Sequence, residues 1–544
     1  MTVTITHSHA LRGTKREAHN RYGLPRVPQW RESAMRQVEP SALPTTAAPL
    51  LPSAARVETA RDYAGANGNW ATGNWATGLA PLRFPDCEAN QRLWDDEHAV
   101  RVAFNGIVPA LKEIAALQHE HDFVPRAQEI AQRQLGFPLP EALLQDAWVE
   151  TLDMRSLYAH TLCHTYRRLL EREVREQDGV EEALRGFLEC GFHSVDVSPC
   201  ADGRLQGLVK YILRLPARAV HREAYAGALF DIEESVRSWA ATELRRHREG
   251  MPNLSDAATQ YLKIAVYHWS SSDRHQGCAA HGSDVRVAAE SALARLTAFR
   301  QAIENSYCCG ASVATLLIGV DTDNDAIKVH LPDGKGEMSE YRYVDNRAVY
   351  QQIVHGAAPR AAVRAAVEQA LAAQGWGMAE GRPADGMLRF VTRLLENNLK
   401  QQDYVDNYYQ GRYPDIGHQE RFISVGNGHA GVQLRNLAYY AHMDTLEEGA
   451  ADLDVGVKIF KKLNVEHGLP VPVILQLCYS QAVPGARERA LQRAQRLGEA
   501  IRQRYAELVQ TRLLSVFTSL QDKDSGVIEF ITVPDEPGHE RSKA

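Results

Sequence analysis

The sequence predicts a multidomain α+β fold: a disordered N-terminal arm, an α-helical domain, a metal-bearing α/β domain and a degenerate second copy of that α/β domain. Three observations predict it. Composition changes near residue 85, from Pro, Ala, Ser and Thr to regular apolar spacing. Beyond about residue 190, apolar runs of strand length alternate with helical patterns. The order of those runs is then echoed near the C-terminus. At 544 residues the chain is long for one domain, and the boundaries fall at 1–89, 90–171, 172–417 and 418–544.

The arm carries Pro40, Pro44, Pro49 and Pro52, and Gly68-Asn69-Trp70-Ala71-Thr72 is repeated as Gly73-Asn74-Trp75-Ala76-Thr77. Such a segment buries too little apolar surface to fold alone. Within it Arg16, Arg21, Arg26, Arg31 and Arg36 recur every five residues beside Tyr22 and Trp30. Spaced arginines with aromatics in a flexible arm read as a docking peptide for an acidic protein surface.

In 90–171, Glu97–Leu117 and Leu143–Leu170 show apolar positions at three and four spacing, with Pro138-Leu139-Pro140 as a break. His160, Cys163 and His164 share one helical face, and His119 and His121 lie close together. Neither group has a third partner or a strand end beside it, so both read as ordinary helix residues.

In 172–417, His193–Ser198 leads as a strand into Cys200, and Leu262–Tyr267 leads as another into His268. Sites in open α/β sheets are built at such strand ends. Cys200, His268 and Cys278 form a soft Cys₂His set that suits zinc and leaves the fourth tetrahedral position open. Zinc lowers the pKa of its bound water to about 7, which makes hydroxide available near neutral pH. Asp202 and Arg204 stand two and four residues beyond Cys200. A water-free structural site is the alternative, with Asp202, His275 or His281 as the fourth ligand.

Cys-x-Asp-x-Arg followed by a strand-end His and a Cys resembles the zinc site of β-class carbonic anhydrases. Their pattern is His-x-x-Cys, whereas nine residues separate His268 from Cys278 here. The longer loop, Gly277-Cys278-Ala279-Ala280-His281-Gly282-Ser283 and the overall length are similar to the carboxysomal carbonic anhydrases, a divergent β-related group. The resemblance runs from about residue 90 to the C-terminus. It implies one zinc per chain on Cys200, His268 and Cys278, with zinc-bound hydroxide converting carbon dioxide to bicarbonate or the reverse. It implies that Arg204 holds Asp202 off the metal, and that His418 and Glu420 line the cleft. It implies a place in the cytoplasm within the carboxysome, Rubisco as partner of the arginine arm, contact with shell proteins, and homo-oligomers.

Val313–Gly319 reads as a further strand and Asp321-Thr322-Asp323-Asn324-Asp325 as the hairpin turn after it. An EF-hand is rejected because Ala326 stands where Gly is required and Pro332 where Glu is required. In 418–544, Val473–Ser480 echoes Ile264–Ser270, a helix over Ala486–Arg512 echoes Val287–Arg300, and Leu513–Phe530 echoes 313–331. The counterpart of Cys200–Arg204 is Gly426-Asn427-Gly428-His429, without thiolate or Asp/Arg pair, so the second copy should carry no zinc. Gly426–Gly431 also spells G-x-G-x-x-G between a strand-like 421–425 and a helix-like 432–442, which raises a dinucleotide-binding oxidoreductase as the alternative function. A non-enzymatic organiser with structural zinc is the third reading.

The formal net charge of -7 shows no global pull toward nucleic acid. The eight cysteines, Cys87, Cys163, Cys190, Cys200, Cys278, Cys308, Cys309 and Cys478, follow no disulfide spacing and read as reduced thiols. No apolar run reaches the ~18 residues of a membrane span, and the first residues lack a signal-peptide core, so no membrane association is expected.

Overall fold

The computed structural model describes residues 87–145, 151–175, 180–250, 260–307, 313–333, 337–355, 361–376, 385–414, 419–426, 434–441, 443, 446–523 and 525–532. The arginine arm, His418 and most of the 426–431 glycine loop lie outside the described residues.

Four helices come first: α1 (Cys87–Ala116), α2 (Phe123–Gln134), the short α3 (Ala142–Gln145) and α4 (Met154–Arg175). The second long helix starts at Met154 rather than Leu143, because the Asp153 carboxylate accepts from the Arg155 and Ser156 N–H groups and from Ser156 Oγ. The apolar faces of α1 and α4 meet each other and also Phe422, Ala438, Ile474 and Phe517 of the C-terminal sheet. Phe422 is fully buried, with the rings of Tyr166 and Phe104 at 5.0 and 5.8 Å. Burying such a ring stabilises by about 1.5–3 kcal/mol, so the helical domain is tied to the C-terminal half.

The middle of the chain builds a six-stranded sheet from β1 (Phe192–Pro199), β2 (His221–Arg222), β3 (Gln260–Trp269), β4 (Val313–Asp321), β5 (Ile327–His330) and β6 (Tyr343–Asp345). Its order is β2-β1-β3-β4-β5-β6, with β2, β1, β3 and β4 parallel and β5 and β6 antiparallel. Helices α5 (Val180–Glu189), α6 (Ile232–Glu249) and α7 (Val285–Tyr307) connect the parallel strands, and α8 (Asn346–His355), α9 (Ala361–Ala373) and α10 (Asp385–Tyr409) follow the hairpin. Helical cover explains why β1 and β3 read as continuous apolar runs.

A five-stranded sheet closes the chain: β7 (Phe422–Gly426), β8 (Ala438–Ala441), β9 (Val471–Tyr479), β10 (Leu514–Asp522) and β11 (Ile528–Thr532), in the order β11-β10-β9-β7-β8. Helices α11 (Leu446–Leu463), α12 (Ala486–Arg504) and α13 (Ala506–Gln510) join its strands. Strand for strand this is the order and direction of β5-β4-β3-β1-β2. The match extends to the turns. Asp325 N–H donates to Asp321 O at 2.8 Å with φ 61°, and Gly526 N–H donates to Asp522 O at 2.8 Å with φ 76°.

Two expectations need correction. The described part of 432–442 holds strand β8, paired parallel to β7, because Ala438, Tyr439, Tyr440 and Ala441 are all buried between layers and burial overrides a helical pattern. No helix therefore follows the glycine loop, which removes the strand-loop-helix context that dinucleotide binding requires. The helix over 486–512 breaks at Tyr505, whose hydroxyl donates to Asp454 at 2.6 Å and holds the backbone out of register.

Candidate metal centre

The end of β1 presents Cys200. Its N–H donates to Val266 O and the next N–H to Tyr225 O, both at 3.0 Å, so sheet pairing continues one step past the strand. The chain then turns through a 3₁₀ turn, Gly203–Leu205, capped by Asp202, whose Oδ1 accepts from the Arg204 N–H at 2.9 Å. Gly203 is needed because a Cβ there would lie 2.9 Å from Ala438 O and against Glu420. His268 is the penultimate residue of β3 and is buried. Cys278 starts the 3₁₀ turn Ala279–His281 at the end of the long loop after β3.

These three residues converge. Cys200 Sγ lies 3.8 Å from Cys278 Sγ, and one donor atom from each of the three falls within 4.8 Å of the others. Two zinc–sulfur bonds at the tetrahedral angle separate their sulfurs by about 3.8 Å, so the pair is spaced for that metal. Both ring nitrogens of buried His268 lack a hydrogen-bond partner. Such orphaned atoms are expected where a ligand belongs. The Cys278 thiol donates to Cys200 and holds it well below the usual thiol range, while the same bond pushes Cys278 up. Burial alone would lower His268, but Asp202 and Cys200 overcome it and raise it to about 9.

Asp202 Oδ2 lies 3.3 Å from His268 Nε2, on the ligand side. Arg204 grips that carboxylate with Nε on Oδ1 at 2.9 Å and Nη2 on Oδ2 at 2.8 Å. Burial would raise the Asp202 carboxyl, but Arg204 and His268 hold it well below the usual carboxylate range. Arg204 also donates Nη1 to Thr322 Oγ1 at 3.0 Å and Nη2 to Gln276 O at 2.9 Å.

The acidic turn after β4 anchors the loop that carries Cys278. Asp321 Oδ1 accepts from Ser271 N–H at 3.1 Å and Asp323 Oδ2 from Ser272 N–H at 2.7 Å. Thr322 Oγ1 donates to Trp269 O at 3.0 Å, next to His268. The sequence reading took this stretch for a plain hairpin turn. Five polar residues in a row on a sheet end, each with a short side chain able to cap an N–H, were the signal for more.

The other predicted residues are placed as follows. Glu420 is buried against Gly203. His281 turns away to Gly227 O at 3.1 Å, and His275 is exposed. His160 and His164 stack in the helical domain and His119 and His121 lie on an exposed turn; among the described residues only Cys200, His268 and Cys278 form a metal-type group.

Family models now decide what this geometry belongs to. Residues 182–418 match the catalytic domain of the carboxysome shell carbonic anhydrases, 83–174 their N-terminal domain and 419–534 their C-terminal domain. This chain belongs to the carboxysome shell carbonic anhydrase family. Members from Halothiobacillus neapolitanus and Prochlorococcus marinus are 50% and 46% identical to it, covering 81% and 84% of this chain and 88% and 90% of their own. A member from Parasynechococcus marenigrum is 49% identical over 81% of this chain and 76% of its own. Across this family member, no described helix is long and apolar enough to cross a membrane.

Proposed function

We propose that this chain holds one zinc ion between Cys200, His268 and Cys278 and interconverts carbon dioxide and bicarbonate there, with Asp202 and Arg204 as the orienting pair. Its family makes it a carbonic anhydrase, a lyase, of the carboxysome. The observation that carries the zinc reading is the 3.8 Å sulfur pair facing an orphaned, buried imidazole. Zinc bound there supplies an ionised water near neutral pH.

The residues do the rest. Arg204 keeps the Asp202 carboxylate ionised and away from the ligand position, so that it serves as a fixed hydrogen-bond acceptor beside the reacting oxygen. Carbon dioxide and water give bicarbonate and one proton, which must reach solvent. Glu420, with His418, is proposed to line the cleft from the C-terminal side.

The equal strand order of the two sheets supports a duplication in which 418–544 is a metal-free copy of 172–417, packed where its Ala438 and Glu420 meet Gly203. The arm with Arg16, Arg21, Arg26, Arg31 and Arg36 is proposed to dock on Rubisco, which the enzyme then supplies with carbon dioxide; shell proteins and further copies of the chain are the other proposed partners. Stopped-flow carbon dioxide hydration with metal analysis of the same sample tests the reading. Cys200→Ser should lose both zinc and hydration, and equal rates in wild type and variant would leave only the organiser.

A further inference from the structure

We infer that Arg435 is a positioning residue for the Asp202–Arg204 pair, acting from the C-terminal domain through the backbone carbonyls of Arg204 and Thr322. The inference rests on the reading of the site given above. Arg435 is buried, and its Nη1 donates to Arg204 O at 3.1 Å and to Asp325 Oδ1 at 2.7 Å. Its Nη2 donates to Thr322 O. Thr322 and Arg204 are themselves joined through Thr322 Oγ1 and Arg204 Nη1. One planar fork thus holds the main chain at both ends of the bond that locks the Arg204 side chain.

The surroundings fix the fork itself. Its carbon lies 3.7 Å from the centre of the Tyr413 ring, and the Arg435 carbonyl accepts from Arg101 Nη2 of helix α1 at 3.2 Å. The other Asp325 oxygen accepts from Tyr413 Oη at 2.8 Å and Gln401 Nε2 at 3.0 Å, so the counter-ion does not move to follow a shifted arginine. Burying an ion pair of this kind gains little stability over apolar side chains of the same volume. What a guanidinium adds is direction, several donors in one rigid plane, which a lysine ammonium lacks.

Arg435→Lys keeps the charge beside Asp325 and loses the fork; Arg435→Met removes both. Both are compared with wild type, with and without zinc, by hydrogen exchange, metal analysis and stopped-flow hydration. In Arg435→Lys, exchange of the Arg204, Leu205 and Gln206 amides should rise about tenfold or more in both metal states, while the β9 amides stay unchanged. Zinc should remain bound, kcat should fall about tenfold or more, and KM should stay within about twofold. Arg435→Met should show the same pattern more strongly, and if it does not fold, Arg435→Lys decides. A kcat within about twofold of wild type, unchanged exchange at 204–206, or exchange raised across the whole chain overturns the inference. A wild type without zinc or hydration would instead refute the site reading, and the exchange of 204–206 in that same protein still judges Arg435.

Discussion

Replacing Arg204 by Met should cost about two orders of magnitude in turnover and leave the metal in place. The guanidinium gives Asp202 two charge-assisted hydrogen bonds, at 2.9 and 2.8 Å. Bonds of that class contribute about 1.5–3 kcal/mol each, so their loss leaves roughly 3–6 kcal/mol of the carboxylate's compensation unmet. Asp202 is 22% exposed, so water restores part of it. A remainder of about 3 kcal/mol, at 1.36 kcal/mol per decade, biases the carboxylate by about two decades toward another cation. That cation is the metal held by Cys200, His268 and Cys278, and a carboxylate on its fourth position closes the site. The assay is stopped-flow hydration on protein of measured zinc content. The double variant Arg204→Met with Asp202→Asn removes the anion as well, so it should be faster than Arg204→Met alone. A local packing lesion predicts the opposite sign. Wild-type rate in Arg204→Met, or a double variant slower than the single one, would refute the reasoning.

Gly203→Ala places a methyl 2.9 Å from Ala438 O in a buried contact, so it should destabilise by about 1–3 kcal/mol and lower hydration, read by urea unfolding and rate on one sample. Burial would lower His221, but Glu223 and Asp196 raise it to about 10. A raised folded pKa means its stabilisation is complete below about pH 6.5 and fades as pH climbs toward 10. The stability gap between wild type and His221→Gln should therefore be wide at pH 7 and shrink by more than about 1 kcal/mol by pH 10.5, and a constant gap would contradict the pairing.

What was legible in the sequence was whatever local pattern decides. The runs into Cys200 and His268 lie on β1 and β3, and the hairpin around 321–325 stands where its short polar residues put it. What was not legible depends on distant partners. Strand β8 is a strand because two layers cover it, and nothing within 432–442 announces those layers. Tyr505 breaks a helix through Asp454, 51 residues away. Arg435 looks like any surface arginine until the Thr322 and Arg204 carbonyls are brought to it from 113 and 231 residues away.

The register of the two sheets explains why a fold with two equivalent strand ends uses only one. His268 pairs with Val320 one residue before Trp269 meets Asp321, and Cys478 pairs with Gln521 one residue before Tyr479 meets Asp522. Cys478 thus occupies the place of the imidazole. Burial pushes its thiol up to about 11, so at neutral pH it is protonated and a poor ligand. Pro199 pairs with Val266 and Gly426 with Gln476, so the residue in the place of Cys200 is Asn427. With one protonated thiol and one amide, that end lacks the anionic donors a zinc ion requires. Freed of ligands, its surface takes other work: Phe422 and Ala438 receive the helical domain, and Arg435 and Ala438 brace the turn that holds Asp202 and Arg204. The C-terminal sheet therefore acts on the reaction by holding the other sheet's turn still, which is why contacts there should move turnover while the metal stays bound.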